Sequence, residues 1–427
     1  TGLYFTIRLK FVQIRKFPEA FKAVFGGINL FGKRAGKDGM SSFQALTTAI
    51  AGQVGTGNLA GAATAIAMGG PGAIFWMWVA AFLGMATIFA EATLAQVFKH
   101  KEPDGRVVGG PAFYIMNGLH CKPLAVFFSV SLIIALGFIG NAVQTNSIAD
   151  ACNVAFGWNK LYVGIFLAAL GAYVFFGGIG RIAAITEKLV PVMAAMYLIG
   201  GAIILIMNFT QLPHAFWMIF KGAFNPAAAT GGLIGVSIKQ AVRYGVARGL
   251  FSNEAGMGST PHAHAVAKVK HPCEQGYAAI ISVFIDTFCV LNMTAFVIFV
   301  TGAIDGHTSG IALTQKAFSI GLGQLGVPFV ALCLFFFAFS TVIGWYFYGE
   351  QNIIFLCGEK GLLPYRLIVV VFLVLGSVLQ LDLAWQLADF FNGIMVFPNL
   401  VALLGLASIV SKQLNEYEKD GRLKAAK

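Results

Sequence analysis

The chain has 427 residues, 58% of them hydrophobic and 11% charged, with a mean hydropathy of +0.78. A soluble domain carries about 25% charged residues, so the composition excludes one and points to a polytopic membrane protein. The net charge of +11 would suit nucleic acid, but no recognition motif accompanies it and its distribution has another explanation, given below.

In chain order, residues 1–11 read as the end of a helix, since they lack the charged start and cleavage site of a signal peptide. Residues 8–37 carry eight Lys or Arg and short amphipathic pieces such as 17–25, a membrane-surface segment. Ten apolar spans are then predicted, each near the 20 residues that cross a bilayer. They cover 41–68, 73–98, 123–151, 161–176, 182–207, 231–269, 277–304, 327–356, 365–379 and 383–410. A long loop at 210–230, a loop with its own short helix before the eighth span, and a polar tail at 411–427 complete the map. Six cysteines are scattered singly, with neither zinc spacing nor a disulfide framework.

Alternate connections between spans should fall on opposite sides of the membrane. One side receives 23 Lys or Arg, from 8–37, 99–122, 181–188, 268–270, 360–366 and the tail. The other receives only Lys160, Lys221 and Lys316, and three more lie in the sixth span. This split is the positive-inside pattern, which puts the basic segment and the C-terminus in the cytoplasm.

Two spans are heavily interrupted. The first contains Gly52-Gln53-Val54-Gly55-Thr56-Gly57-Asn58 at its centre, and the sixth contains Ser252-Asn253-Glu254 among Gly249, Gly256, Gly258 and Pro261. Irregular polar backbone at membrane depth survives only where protein buries it or a cavity borders it. Glycine-rich spans can also reflect close helix packing. Two breaks in corresponding spans of two five-span halves, crossing in opposite directions, favour a transporter site built from inverted repeats. No residue-by-residue repeat supports this, so it rests on topology.

The stretches GQVGTGNLAGAATAIAMGGPGAIFWMW and GLFSNEAGMGSTPHAHA resemble the alanine/glycine:cation symporter family. The resemblance runs over nearly the whole chain. It implies an all-α membrane protein with a LeuT-type fold of two inverted five-helix repeats, broken at the first and sixth core helices. It also implies symport of sodium with small neutral amino acids, chiefly alanine and glycine, across the cell membrane, with no other cofactor. Family members carry an extra helix before the core, of which 1–11 would be the end. The expected divisions are 1–40, 41–208, 209–413 and 414–427: N-terminal segment, first repeat, second repeat and cytoplasmic tail.

A zwitterion needs donors for its carboxylate and acceptors for its ammonium. The half-helix starting near Asn58 offers N–H groups and a positive dipole end, and the half ending near Val54 offers carbonyls. Gln53, Thr56, Gly57 and Asn58 are therefore candidates for the substrate, with Phe251, Ser252 and Asn253 from the sixth break. The LeuT-type resemblance places a sodium between the first and eighth helices, which assigns Ala51 and Val54 carbonyls with Ser340 and Thr341 hydroxyls as its ligands. The alternative is that both hydroxyls bond back to their own helix. Asn141, Gln144 and Thr145 share one face of the third span and are expected at the substrate's polar end, or in hydrogen bonds between helices. Trp345 shares the face of Thr341 and either closes the pocket or packs in the core.

Buried acids are costly in a membrane and call for partners. Glu254 is expected to pair with Arg248, Glu91 to brace the first break and Asp389 to gate; for each, and for Asp286, a charge-paired structural role is favoured. His262 and His264 lack a third ligand, which argues against a metal site. A channel would need a filter or charge ring and an enzyme a nucleophile–base or metal constellation, and neither is present. No phosphate-binding loop supports ATP-driven transport.

Overall fold

The computed structural model describes residues 1–26, 39–103, 105–225 and 237–425. Parts of the basic N-terminal segment and of the loop expected at 210–230 lie outside them. The described chain is almost wholly helical. Its one sheet is a two-stranded hairpin pairing His100–Lys101 with Val107–Val108.

Both interrupted spans begin with the same device. Ser41 Oγ accepts from Gln44 N at 3.1 Å while Gln44 Oε1 accepts from Ser41 N at 3.1 Å. Ser237 and Gln240 repeat this reciprocal bond pair at 3.3 and 2.9 Å. Such a capping box satisfies the donors that a helix start leaves free. The first span then runs Ser42–Gln53, breaks, passes through a π-helical turn at Gly57–Gly61 and resumes as Ala62–Gly69. The sixth runs Ile238–Asn253, breaks, and resumes as Pro261–Ala265, where the proline has no N–H to lose.

The remaining spans are the second, Gly72–Val97; the third, Lys122–Phe156; the fourth, Lys160–Phe175; and the fifth, Gly178–Met207. Then come the seventh, Pro272–Thr301; the eighth, Gly326–Cys357; the ninth, Leu362–Val378; and the tenth, Leu381–Gly405. The helix expected before the eighth span is Gly310–Leu322. Two regions differ from expectation. Leu212–Phe224 is an amphipathic helix where a loop was predicted, and Phe216, Trp217 and Phe220 on it are exposed. The tenth span stops at Gly405, and Ala407–Ala425 forms a further helix, so the expected division at 413/414 falls inside an element.

The two broken spans sit inside the bundle. The first packs against the fifth and eighth, and the sixth against the second. Around them, the fourth, fifth, ninth and tenth spans leave large apolar side chains such as Tyr162, Ile199, Val371 and Phe397 exposed. That is the surface a bilayer covers. Close approach at the centre needs a missing side chain: a Cβ on Gly344 would lie 2.9 Å from Gly52 N. The eighth span thereby brings Ser340 and Thr341, one turn earlier, against the end of the first half-helix.

Candidate functional site

The first break opens where Val54 turns to φ −81°, ψ 90°, leaving the last carbonyls of the half-helix without helical partners. Two hydroxyls of the eighth span meet them. Thr341 Oγ1 lies 2.9 Å from Ala51 O and 3.4 Å from Val54 O, and Ser340 Oγ lies 3.4 Å from Ala51 O. Both hydroxyls also reach Phe337 O, at 3.1 Å from Thr341 and 2.8 Å from Ser340, so bonding within their own helix coexists with the contact across. These four atoms are oxygens, the chemistry a hard cation selects, and Met193 Sδ lies beside them, 3.4 Å from Ser340 Oγ. A Cβ on Gly55 would collide with Thr341 Oγ1 and come 3.1 Å from Gln144 Oε1, so both spans press on the break at a point where only glycine fits.

Gln144 Oε1 accepts from Thr56 N at 3.2 Å, a hydrogen bond between the third span and the break. Asn141 bonds within its own span. Its amide donates to Gly137 O within its own helix at 3.1 Å, and Thr145 bonds back to Asn141 O at 2.9 Å. All three residues lie in the α-helical part of the span, Asn141–Phe156, so they share a face, and Asn141 is buried with its Oδ1 unpartnered among the described residues.

The two breaks touch each other. Gln53 Nε2 donates to Asn253 O at 2.7 Å. Asn58 Oδ1 accepts from Gly55 N at 2.9 Å, while its Nδ2 donates to Asp286 Oδ1 at 2.7 Å. Ser252 Oγ sits 3.0 and 3.1 Å from the two oxygens of the same carboxylate, and Thr287 Oγ1 lies 3.0 Å from Oδ2. Asp286 belongs to a second π-helical stretch, Phe284–Leu291. It therefore ties the first, sixth and seventh spans together. It was expected to have a structural, charge-paired role. Its partners are all neutral, and among the described residues no ion pair involves Glu91, Glu254 or Asp286.

The sixth break is held differently from expectation. Glu254 pairs not with Arg248 but with the Trp345 indole N–H, and its other oxygen accepts from Ser259 Oγ at 2.6 Å. Arg248 remains inside the half-helix and makes a two-pronged bond to Asp389, at 2.8 and 2.7 Å. Its guanidinium lies 4.7 Å from the Trp385 ring. This pair borders a cavity of about 490 Å³ that opens at the end of the molecule reached by Thr64 and Met68. Glu91 braces the sixth break rather than the first. Its oxygens accept from Gly256 N at 2.8 Å and Gly258 N at 2.9 Å, at glycines with φ of +93° and +80°. Asn399 Nδ2 adds a third bond at 2.6 Å.

Between the breaks, Phe251 meets the Trp345 ring edge-on, with centroids 5.8 Å apart. Gln53 Oε1 and Thr56 Oγ1 are fully buried and without a protein partner. His262 bonds Ser259 O at 2.6 Å and Asn352 at 2.8 Å, and His264 bonds Gln275 at 2.8 Å. The sequence flagged Asp286 and Glu254 as buried acids but not their places in this centre. A carboxylate in a membrane span was the available signal.

The profile of the sodium:alanine symporter family matches residues 1–427. The sodium/alanine symporter AgcS of Methanococcus maripaludis is 43% identical over 98% of this chain and 93% of its own length. The probable sodium/glutamine symporter GlnT of Bacillus subtilis is 42% identical over 98% and 86%. The solved structure of MhsT with L-phenylalanine aligns with a TM-score of 0.61 over 90% of this chain and 98% of that one, at 13% identity, which is a likeness of fold.

Proposed function

The chain belongs to the sodium:alanine symporter family, and on that premise we propose that it carries small neutral amino acids, alanine and glycine, into the cell with sodium by alternating access. The cluster of Ala51 O, Val54 O, Ser340 Oγ and Thr341 Oγ1 supports this reading most directly, because it gathers oxygens at the end of a broken helix and contains no fixed cation. Sodium binds there first and orders the break. The amino acid then sits between the two breaks. Its carboxylate takes the unpartnered Thr56 hydroxyl and the N–H of Gly57 at the start of the second half-helix, where Gln144 and Asn58 hold the backbone in place. Its ammonium faces Gln53 Oε1 and the end of the sixth half-helix at Ser252 and Asn253. Phe251 and Trp345 bound its side chain.

The relatives' names include both alanine and glutamine, so the side chain is set by the pocket wall rather than by family. Phe251 and Trp345, edge-on with centroids 5.8 Å apart, form that wall, two large rings that suit a methyl or a hydrogen. The Arg248–Asp389 pair, which borders the open cavity, is the gate on that side. The positive-inside pattern makes that the extracellular side and leaves the C-terminal helix in the cytoplasm of the cell membrane.

Labelled alanine uptake into proteoliposomes with an inward sodium gradient should exceed uptake without one at least tenfold; equal uptake would refute sodium coupling. Thr341→Ala removes the hydroxyl that reaches both carbonyls. It should raise the half-saturating sodium concentration about tenfold, the value of one lost ligand contact of about 1.4 kcal/mol. An unchanged sodium dependence would remove Thr341 from the site.

A further inference from the structure

We propose that the crevice between the N-terminal segment and the terminal helix binds the phosphate headgroup of an anionic phospholipid. The crevice has a volume of about 290 Å³. Arg8, Lys10 and Arg15 border it on one side, and Ser411 and Glu418 on the other.

The charges in it do not cancel. Arg15 is paired with Glu418 at 2.5 Å. Among the described residues Arg8 bonds neutral hydroxyls alone, Tyr4 at 2.8 Å and Ser411 at 3.0 Å. Lys10 has no ion pair or side-chain hydrogen bond among the described residues. Two cations thus converge on one cavity whose carboxylate, Glu418, is taken by Arg15, with no other anion against them among the described residues.

The backbone is strained to produce this arrangement. Lys10 and Phe11 both adopt left-handed conformations, with φ of +53° and +55°. Two consecutive non-glycine residues in that region cost free energy, and such strain collects where function requires a side chain to be presented. The turn sets Lys10 at the crevice, beside the two arginines, while Phe11 stays exposed.

The same segment exposes Leu3, Ile7 and Ile14. An apolar strip beside a cationic cavity matches a phospholipid, whose acyl chains lie along the strip while the phosphate enters the cavity. A soluble phosphate has no use for the strip. The depth also fits. The terminal helix begins two residues after the tenth span ends, and its Tyr417 packs on His271 and Tyr277 at the start of the seventh span, with ring centroids 4.8 and 5.6 Å away. The crevice lies where a transmembrane bundle meets the headgroup layer. Basic pockets at that level recognise acidic headgroups. A bound lipid would staple the N-terminal segment to the terminal helix, and through Tyr417 to the seventh span.

The purified full chain in detergent should be titrated with phosphatidylglycerol, phosphatidylcholine and inorganic phosphate, with bound lipid read by native mass spectrometry. Phosphatidylglycerol should be retained in preference to phosphatidylcholine. Arg8→Gln and Lys10→Gln should each weaken that retention about fivefold, the effect of one basic residue at a charged membrane surface. Lys101→Gln, a basic residue away from the crevice, should leave it unchanged. The Lys10 side chain has no partner to lose among the described residues, so its variant tests the site without disturbing the fold described above. Equal retention of the two lipids, or wild-type retention by the double variant, would overturn the proposal. Displacement of phosphatidylglycerol by equimolar inorganic phosphate would overturn the lipid assignment.

Discussion

Asp286→Asn should reduce sodium-driven alanine uptake about a hundredfold. The carboxylate receives Asn58 at 2.7 Å, Ser252 at 3.0 and 3.1 Å, and Thr287 at 3.0 Å, all inside the bundle. An asparagine keeps one acceptor oxygen and turns an amide N–H₂ toward donors. The carboxylate's second acceptor oxygen is lost, so Ser252 or Thr287 must turn to accept from the new N–H, and the proton it donated loses its charged acceptor. Each such loss costs about 1–3 kcal/mol, and about 1.4 kcal/mol is a factor of ten. The cost falls on the state in which Asn58 and Ser252 are held together, the state in which both breaks face one substrate. Initial uptake rates in proteoliposomes, normalised to protein that elutes as a single species, provide the measurement. Uptake within about threefold of wild type would show that Asp286 does not join the breaks. Ser252→Ala removes only one donor and leaves no donor unpaired, so its effect should be much smaller.

That centre was only partly legible in the sequence. The spans are legible because a bilayer demands about 20 apolar residues and no alternative pattern satisfies it. The breaks are legible because glycine, proline and amides cluster where lipid tolerates none of them. The capping boxes at Ser41 and Ser237 went unpredicted, although serine and glutamine three residues apart encode them locally. What cannot be read locally is which distant group answers a buried charge. Arg248 has Glu254 six residues away, yet its helix continues to Asn253 and points the guanidinium elsewhere, to Asp389 at a separation of 141 residues. Glu91 meets glycine N–H groups 165 and 167 residues on. The terminal helix was missed for another reason. Its charged sequence reads as solvated tail until Tyr417 is seen against Tyr277.

Glu254→Ala should raise the KM for alanine about tenfold and relax the preference for small side chains, whereas Glu254→Gln should stay within about threefold of wild type on both counts. Glu254 sits at φ +57°, an unusual conformation for a glutamate, and its carboxylate spans from the Trp345 indole N–H to Ser259 across the sixth break. Trp345 is confined on its other sides by Phe251 and by Gly140, where an added methyl would overlap its ring. Alanine at 254 leaves the buried indole N–H unpaired, a loss of about 1–3 kcal/mol, and frees the ring to leave its rotamer. Glutamine retains an oxygen for the indole and an N–H for the serine hydroxyl, so it separates positioning from charge. The readout is competition of alanine uptake by a larger neutral amino acid such as glutamine, alongside KM and kcat. A purely structural role would lower kcat or yield without altering the ratio of the two substrates. Equal damage from Ala and Gln would mean that the negative charge, rather than the orientation of Trp345, is what transport requires.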